Sequence, residues 1–118
     1  MLKGEVILKS NDFGELSYCK NCNLYFLRFS NLLIELNERE LKAFLLVVKN
    51  VDINYWNKIN KSSSNLRIYP ISTCQQNLVL LFNSSELEAI KDLVSLSRSE
   101  YPKPMRFING RKNKFFLN

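Results

Sequence analysis

The sequence contains no histidine, which removes every histidine-based triad, general base and metal ligand from consideration. Glycine is almost as scarce. Gly4, Gly14 and Gly110 are too few and too scattered for a phosphate-cradling loop of the P-loop or dinucleotide-binding kind. Cysteine stops at three, an odd number that argues against a secreted disulfide framework. The longest apolar run, Ala43–Val48, is far shorter than the roughly 18 residues a bilayer span requires. Met1–Glu5 lacks the apolar stretch of a signal peptide. These absences lead to the expectation of a cytoplasmic protein with no membrane partner.

What is present suits one compact domain spanning residues 1–118. A chain of 118 residues buries roughly two-thirds of the surface its unfolded form exposes, so it needs no metal or disulfide merely to fold. The net charge of +6 is uneven. Residues 1–64 carry 9 basic and 7 acidic side chains, and residues 65–98 carry 3 of each. The last twenty set Glu100 against Lys103, Arg106, Arg111, Lys112 and Lys114. A basic end of this kind steers a protein toward nucleic acid or another acidic surface, or simply solubilises it. The abundance of Asn, Lys and Ile reads as the usage of an AT-rich bacterial genome.

An internal repeat is the most informative feature. Asn31–Val48 aligns without a gap on Asn77–Val94. Seven positions are identical: Asn31/Asn77, Leu32/Leu78, Asn37/Asn83, Glu40/Glu86, Leu41/Leu87, Ala43/Ala89 and Val48/Val94. Each copy opens with an apolar run of strand length, Leu32–Leu36 or Leu78–Phe82. Asn37 or Asn83 follows as an N-cap, and Glu40 or Glu86 three residues later completes a capping box. Helical periodicity then runs through Leu41, Phe44, Leu45, Val48 and Val51, and through Leu87, Ile90, Leu93 and Val94, ending near Ser97. The pattern predicts two strand–helix units, with pseudo-repeats at about 24–51 and 66–98.

Further strands surround them. Glu5–Lys9 and Leu16–Lys20 flank the turn-rich Asn11–Gly14 and read as a hairpin. Leu24–Phe29 should pair with Leu32–Leu36 across Ser30-Asn31, and Leu66–Ser72 with Leu78–Phe82. Tyr55, Trp56 and Ile59 either continue the first helix or cap the core, and Lys61–Asn65 forms an exposed loop. Pro102 and Pro104 bar any continuation of the second helix. At the end of the chain, Asn109-Gly110 between apolar-containing runs signals a hairpin within a basic segment at 102–118. The expected fold is α+β: an antiparallel sheet with two helices on one face, plus a C-terminal hairpin.

Cys19 and Cys22 are the sharpest chemical feature. Their spacing lets both thiolates reach one metal or each other. A structural zinc site takes four ligands, and this chain adds only Cys74, so a carboxylate or a homodimer axis would have to complete it. A redox disulfide is a second reading. Against it, the pair sits at a strand end, where no helix dipole lowers a thiol pKa. The plainest reading is a tight turn holding two reduced cysteines, with no cofactor. Glu38, Glu40, Glu86 and Glu88 are explained by their places in first helical turns. Ser62–Ser64 and Ser84-Ser85 have no base to activate them.

The pattern Cys19-Lys20-Asn21-Cys22, followed by Tyr25, Leu27, Phe29 and Asn31 and by the capped helix with Leu41 and Phe44, resembles a family of small uncharacterised proteins of Bacteroidota-type bacteria. In that family a Cys-x-x-Cys turn leads into a strand ending Phe-Gly-Asn, and Ser30 stands here in place of the glycine. The resemblance spans about residues 15–98. It implies the same fold and an intracellular bacterial setting, and it brings no activity and no catalytic residue.

The expected function is a non-enzymatic binding module. Phe107, Phe115 and Phe116 could stack on unpaired bases while Arg106, Arg111, Lys112 and Lys114 meet phosphates of RNA or DNA, or these residues could serve another acidic partner. The same phenylalanines could instead anchor a terminal hairpin to the core. No helix-turn-helix, zinc-finger or ribonucleoprotein consensus occurs. The alternatives are a protein–protein adaptor or complex subunit, using apolar residues such as Leu46 and Val47 outside the helical stripe, and a zinc- or thiol-dependent protein built on Cys19 and Cys22.

Overall fold

The computed structural model describes residues 4–103. Four strands, β1 (Glu5–Asn11), β2 (Gly14–Cys19), β3 (Leu24–Phe29) and β4 (Leu32–Leu36), form an antiparallel meander in that order. Helices α1 (Glu38–Lys49) and α2 (Ile53–Ile59) follow. A second, two-stranded sheet pairs β5 (Tyr69–Ser72) with β6 (Val79–Phe82), and helix α3 (Ser84–Val94) and a short 3-10 turn complete the described chain. The fold is α+β, as the patterning predicts, with the antiparallel strands divided between two sheets. The basic hairpin expected at 102–118, with Arg106, Phe107, Arg111, Lys112, Lys114, Phe115 and Phe116, lies outside the described residues apart from Pro102 and Lys103.

The two main helices tie the sheets together. Helix α1 packs on β3, β4 and β5, α3 packs on β1, β2 and β6, and the helices touch each other. Strand alternation sends Leu16 and Tyr18 of β2, and Tyr25, Leu27 and Phe29 of β3, into the core beneath them. The helical stripes supply Leu41, Phe44 and Val48 from α1, and Leu87, Ile90, Leu93 and Val94 from α3, all buried. Phe29 joins the sheets at the aromatic level. Its ring lies 5.7 Å from that of Phe13 and 5.4 Å from that of Phe82 in the second sheet.

Turn chemistry sets the register. The Asn11 side-chain oxygen accepts from the backbone N–H groups of Phe13 (2.9 Å) and Gly14 (3.2 Å), closing the first hairpin. A bulge between Ile7 and Lys9 leaves Leu8 out of the β1–β2 ladder, and Leu8 packs against the core. The second hairpin turns on Ser30-Asn31, where Ser30 holds φ +56°. A left-handed backbone at the first of two loop residues is the glycine position of a type II′ turn. Ser30→Gly is therefore expected to raise stability by about 1 kcal/mol, read as a higher midpoint in urea at unchanged slope.

Both strand–helix junctions are built alike. Asn37 Oδ1 accepts from Glu40 N (2.8 Å), and Asn37 N donates to Glu40 Oε1 (2.9 Å). Asn83 and Glu86 repeat the arrangement at 2.8 and 2.9 Å. The Arg67 guanidinium and the Asn83 N–H hold the Glu86 carboxyl below its ordinary pKa. The stability Glu86 adds is thus present above the usual carboxylate range and is lost as the pH falls through its lowered value. Asn37→Ala and Asn83→Ala should each cost about 1 kcal/mol, measured by equilibrium unfolding.

The segment between the halves differs from expectation. Helix α1 ends at Lys49, and a separate helix restarts because the Asp52 side chain accepts from Tyr55 N at 3.0 Å. Trp56 on this helix packs against the core, whereas Tyr55 and Ile59 are exposed. Helix α3 stops at Val94, where Ser95 Oγ donates to the Lys91 carbonyl.

Candidate functional site

The cysteine pair sits where β2 turns into β3. Cys19 is the buried last residue of β2, and Cys22 is exposed in the turn. The Cys22 thiol donates to the Cys19 sulfur, which also accepts backbone N–H groups, so Cys19 is pulled down from its ordinary pKa and Cys22 is pushed up. Cys74 lies apart, its sulfur 4.0 Å from Glu40 Oε2. Among the described residues no group of three Cys, Asp or Glu is gathered to hold a metal ion.

A polar cluster occupies the sheet face away from the helices. Ser17 Oγ donates to the Glu5 carboxylate, which also receives the Arg28 guanidinium. Arg28 lies 5.7 Å from the centre of the Phe26 ring. Serine beside a carboxylate invites a nucleophilic reading, but Ser17 is wholly buried and no substrate can reach its oxygen. The cluster ties β1 to β2 and β3.

An apolar hollow lies elsewhere. A cleft of about 420 Å³ runs along β4, lined by every residue from Leu32 to Leu36. Its other walls are Thr73, Cys74, Gln75, Leu78 and Leu80, with Glu40 and Phe44 from α1. Successive strand side chains point to opposite faces, so a cleft touching five in a row follows the strand's edge. A neighbouring hollow shares Leu32 and Leu80 and continues along Leu81 and Phe82 to Arg67 and Glu86.

The hydrogen-bond phase of both edges can be derived. Among the described residues, β4 pairs only with β3, and β6 only with β5. Across Ser30-Asn31 the closing pair Phe29/Leu32 exchanges both backbone bonds. Ser30 N–H donates in the other direction, to the Phe13 carbonyl at 2.8 Å, which fixes the same phase. Leu32, Ile34 and Leu36 thus spend their backbone groups on β3, while Leu33 and Glu35 turn theirs to the cleft. On β6 the marker is Pro70 opposite Leu81. Proline has no N–H to give, so that pair is a non-bonded one, and Val79 and Leu81 present their backbone groups outward. Leu33 is 55% exposed, and Val79 and Leu81 are each 50% exposed.

The whole chain matches one family model over residues 1–118, a family of unknown function designated DUF6686. The chain belongs to the DUF6686 family. No curated protein and no solved structure matches it. DUF6686 membership brings no assigned chemistry, so functional inference for this chain rests on its own geometry.

Sequence reasoning singled out Cys19 and Cys22, which the turn brings together, and the basic aromatic residues beyond Lys103, which are not described. It also named Leu46 and Val47 as exposed, and they are, beside a shallow hollow shared with Val51, Trp56 and Pro70. It did not single out Leu33, Glu35, Val79 and Leu81. The available signals were apolar residues at outward positions of both strands and Pro70 beside the second one.

Proposed function

We propose that this chain is a non-catalytic binding module whose partner is a protein. The observation that supports this most is the pair of strand edges, β4 and β6, that no further strand fills among the described residues, bordered by exposed Leu33, Val79 and Leu81. Soluble proteins normally blunt such edges with charge, proline or a covering segment. The apolar surface at Leu46 and Val47 adds a second contact region. The serine–carboxylate pair of Ser17 and Glu5 is buried and gives catalysis no support.

Binding of RNA or DNA is the second reading, and its whole weight falls on the end of the chain. Residues 4–103 carry 12 basic and 11 acidic side chains, close to balance. Arg106, Arg111, Lys112 and Lys114 would supply the phosphate contacts. The zinc reading needs ligands beyond Cys19 and Cys22 and has less support. The asparagine- and lysine-rich composition favours a bacterial setting, the odd number of cysteines favours a cytoplasmic one, and the resemblance carried by Cys19-Lys20-Asn21-Cys22 and the strand after it favours an organism of the Bacteroidota type. The paired capping boxes favour a duplicated strand–helix unit.

Gentle purification of the tagged full chain from its native cells, with and without nuclease and at low and high salt, tests the reading. A protein partner retained through nuclease and high salt is the expected result. Partners lost to both treatments would replace it with the nucleic-acid reading.

A further inference from the structure

The β4 edge and its cleft are more specific than a generic apolar surface, because of where the charges lie. Among the described residues, Glu35 and Glu40 are the charged residues lining the cleft, and no basic residue lines it. Glu40 gives Oε1 to the helix cap, and its Oε2 is directed toward Cys74 on the cleft wall. The matching glutamate of the second junction is treated differently. Glu86 also gives Oε1 to its cap, but Arg67 forks onto its carboxylate at 2.8–3.2 Å. The chain therefore neutralises one capping glutamate with arginine and supplies no ion-pair partner to the other among the described residues.

Resting on the protein-binding reading above, we propose that β4 accepts an extended segment of a partner protein that carries both basic and apolar residues. The segment pairs with the outward backbone groups of Leu33 and Glu35 and lengthens the four-stranded sheet into the cleft. Its basic side chains meet Glu35 and Glu40, and its apolar ones cover Leu33, Leu78 and Leu80. Main-chain bonds give the affinity, and the two carboxylates select the sequence. A second copy of this chain is a poorer occupant, because its own β4 would bring another Glu35 to the same edge. Generic attraction does not account for binding of a basic peptide, since the whole chain carries a charge of +6.

The test titrates the isotope-labelled full chain with a blocked eight-residue peptide made up of arginines and valines, followed amide by amide in NMR spectra. Saturable shifts centred on Leu33 and Glu35, with smaller ones at Val79 and Leu81, are expected. The double variant Glu35→Gln with Glu40→Gln, which keeps an acceptor for the cap, should bind about fivefold more weakly. Leu33→Lys, at an exposed position that tolerates charge, should abolish the shifts while leaving the remaining spectrum unchanged. Equal binding of a peptide with glutamate for arginine would overturn the proposal, as would shifts confined to other surfaces. Concentration-dependent shifts at Leu33 and Glu35 without peptide would also overturn it, assigning the edge to a second copy. A native protein partner retained equally by wild type and Leu33→Lys would remove the β4 proposal and leave the binding-module reading intact. Loss of every protein partner from the wild type would remove the reading itself.

Discussion

Phe29→Ala is expected to lower folding stability by about 3–5 kcal/mol, a large share of the roughly 5–15 kcal/mol that holds a domain of this size together. The residue is 1% exposed and closes the β3–β4 hairpin. Its ring stands between Phe13 on the β1–β2 turn and Phe82 at the end of β6. Removing it leaves a cavity that three separate segments would have to collapse into, and rigid strands on both sides limit that collapse. The loss also falls on the contact between the two sheets. In equilibrium urea unfolding the midpoint should drop steeply. Phe29→Leu, which keeps most of the apolar volume, should recover a substantial part of the loss.

Gly14→Ala is the second large effect, and its cause is the opposite: excess rather than missing volume. Gly14 begins β2 and pairs with Phe29 across the β2–β3 ladder. A Cβ built there would lie 1.9 Å from the Arg28 carbonyl oxygen and 2.9 Å from the Phe29 Cα. Both obstacles are backbone, so no side-chain rotation relieves the clash, and the strands must separate locally. Overpacking of this kind costs about 3 kcal/mol or more when the backbone itself must yield. Separation at this point also threatens the Ser30 N–H bond to Phe13 and the placement of Phe29. The expected result is a protein that unfolds far more readily than wild type, with the greatest loss of amide protection at the Gly14 end of β2. A Ser30→Gly change in the same background should recover little, since it relieves strain in the adjacent turn and not the clash.

These effects show which parts of the molecule could be read from the residues. The capping boxes at Asn37 and Asn83 were legible because both halves of each box are local, three residues apart. The β1–β2 and β3–β4 hairpins were legible from Asn11–Gly14 and Ser30-Asn31, again through short-range chemistry. The helical stripes predicted most of the buried face, including Leu41, Phe44, Val48 and all four named positions of α3. Division into two sheets was not legible, because it depends on whether β4 finds a hydrogen-bonded neighbour far away in sequence. The burial of Cys19 and the union of Glu5 with Ser17 and Arg28 likewise depend on register across three strands. For the same reason the cleft was missed. Leu32–Leu36 reads as a buried apolar strand, and only its lack of a second partner strand among the described residues turns Leu33 and Glu35 into an accessible edge.

Amide hydrogen exchange of the free full chain tests this central feature most directly. The account predicts an alternation within two short strands. The amides of Leu32, Ile34 and Leu36 on β4, and of Leu80 and Phe82 on β6, should be protected by their ladders. Those of Leu33, Glu35, Val79 and Leu81 should exchange at rates typical of exposed backbone. Uniform protection along Leu32–Leu36 and Val79–Phe82 would contradict it, because both edges would then already be filled and neither could receive a partner strand.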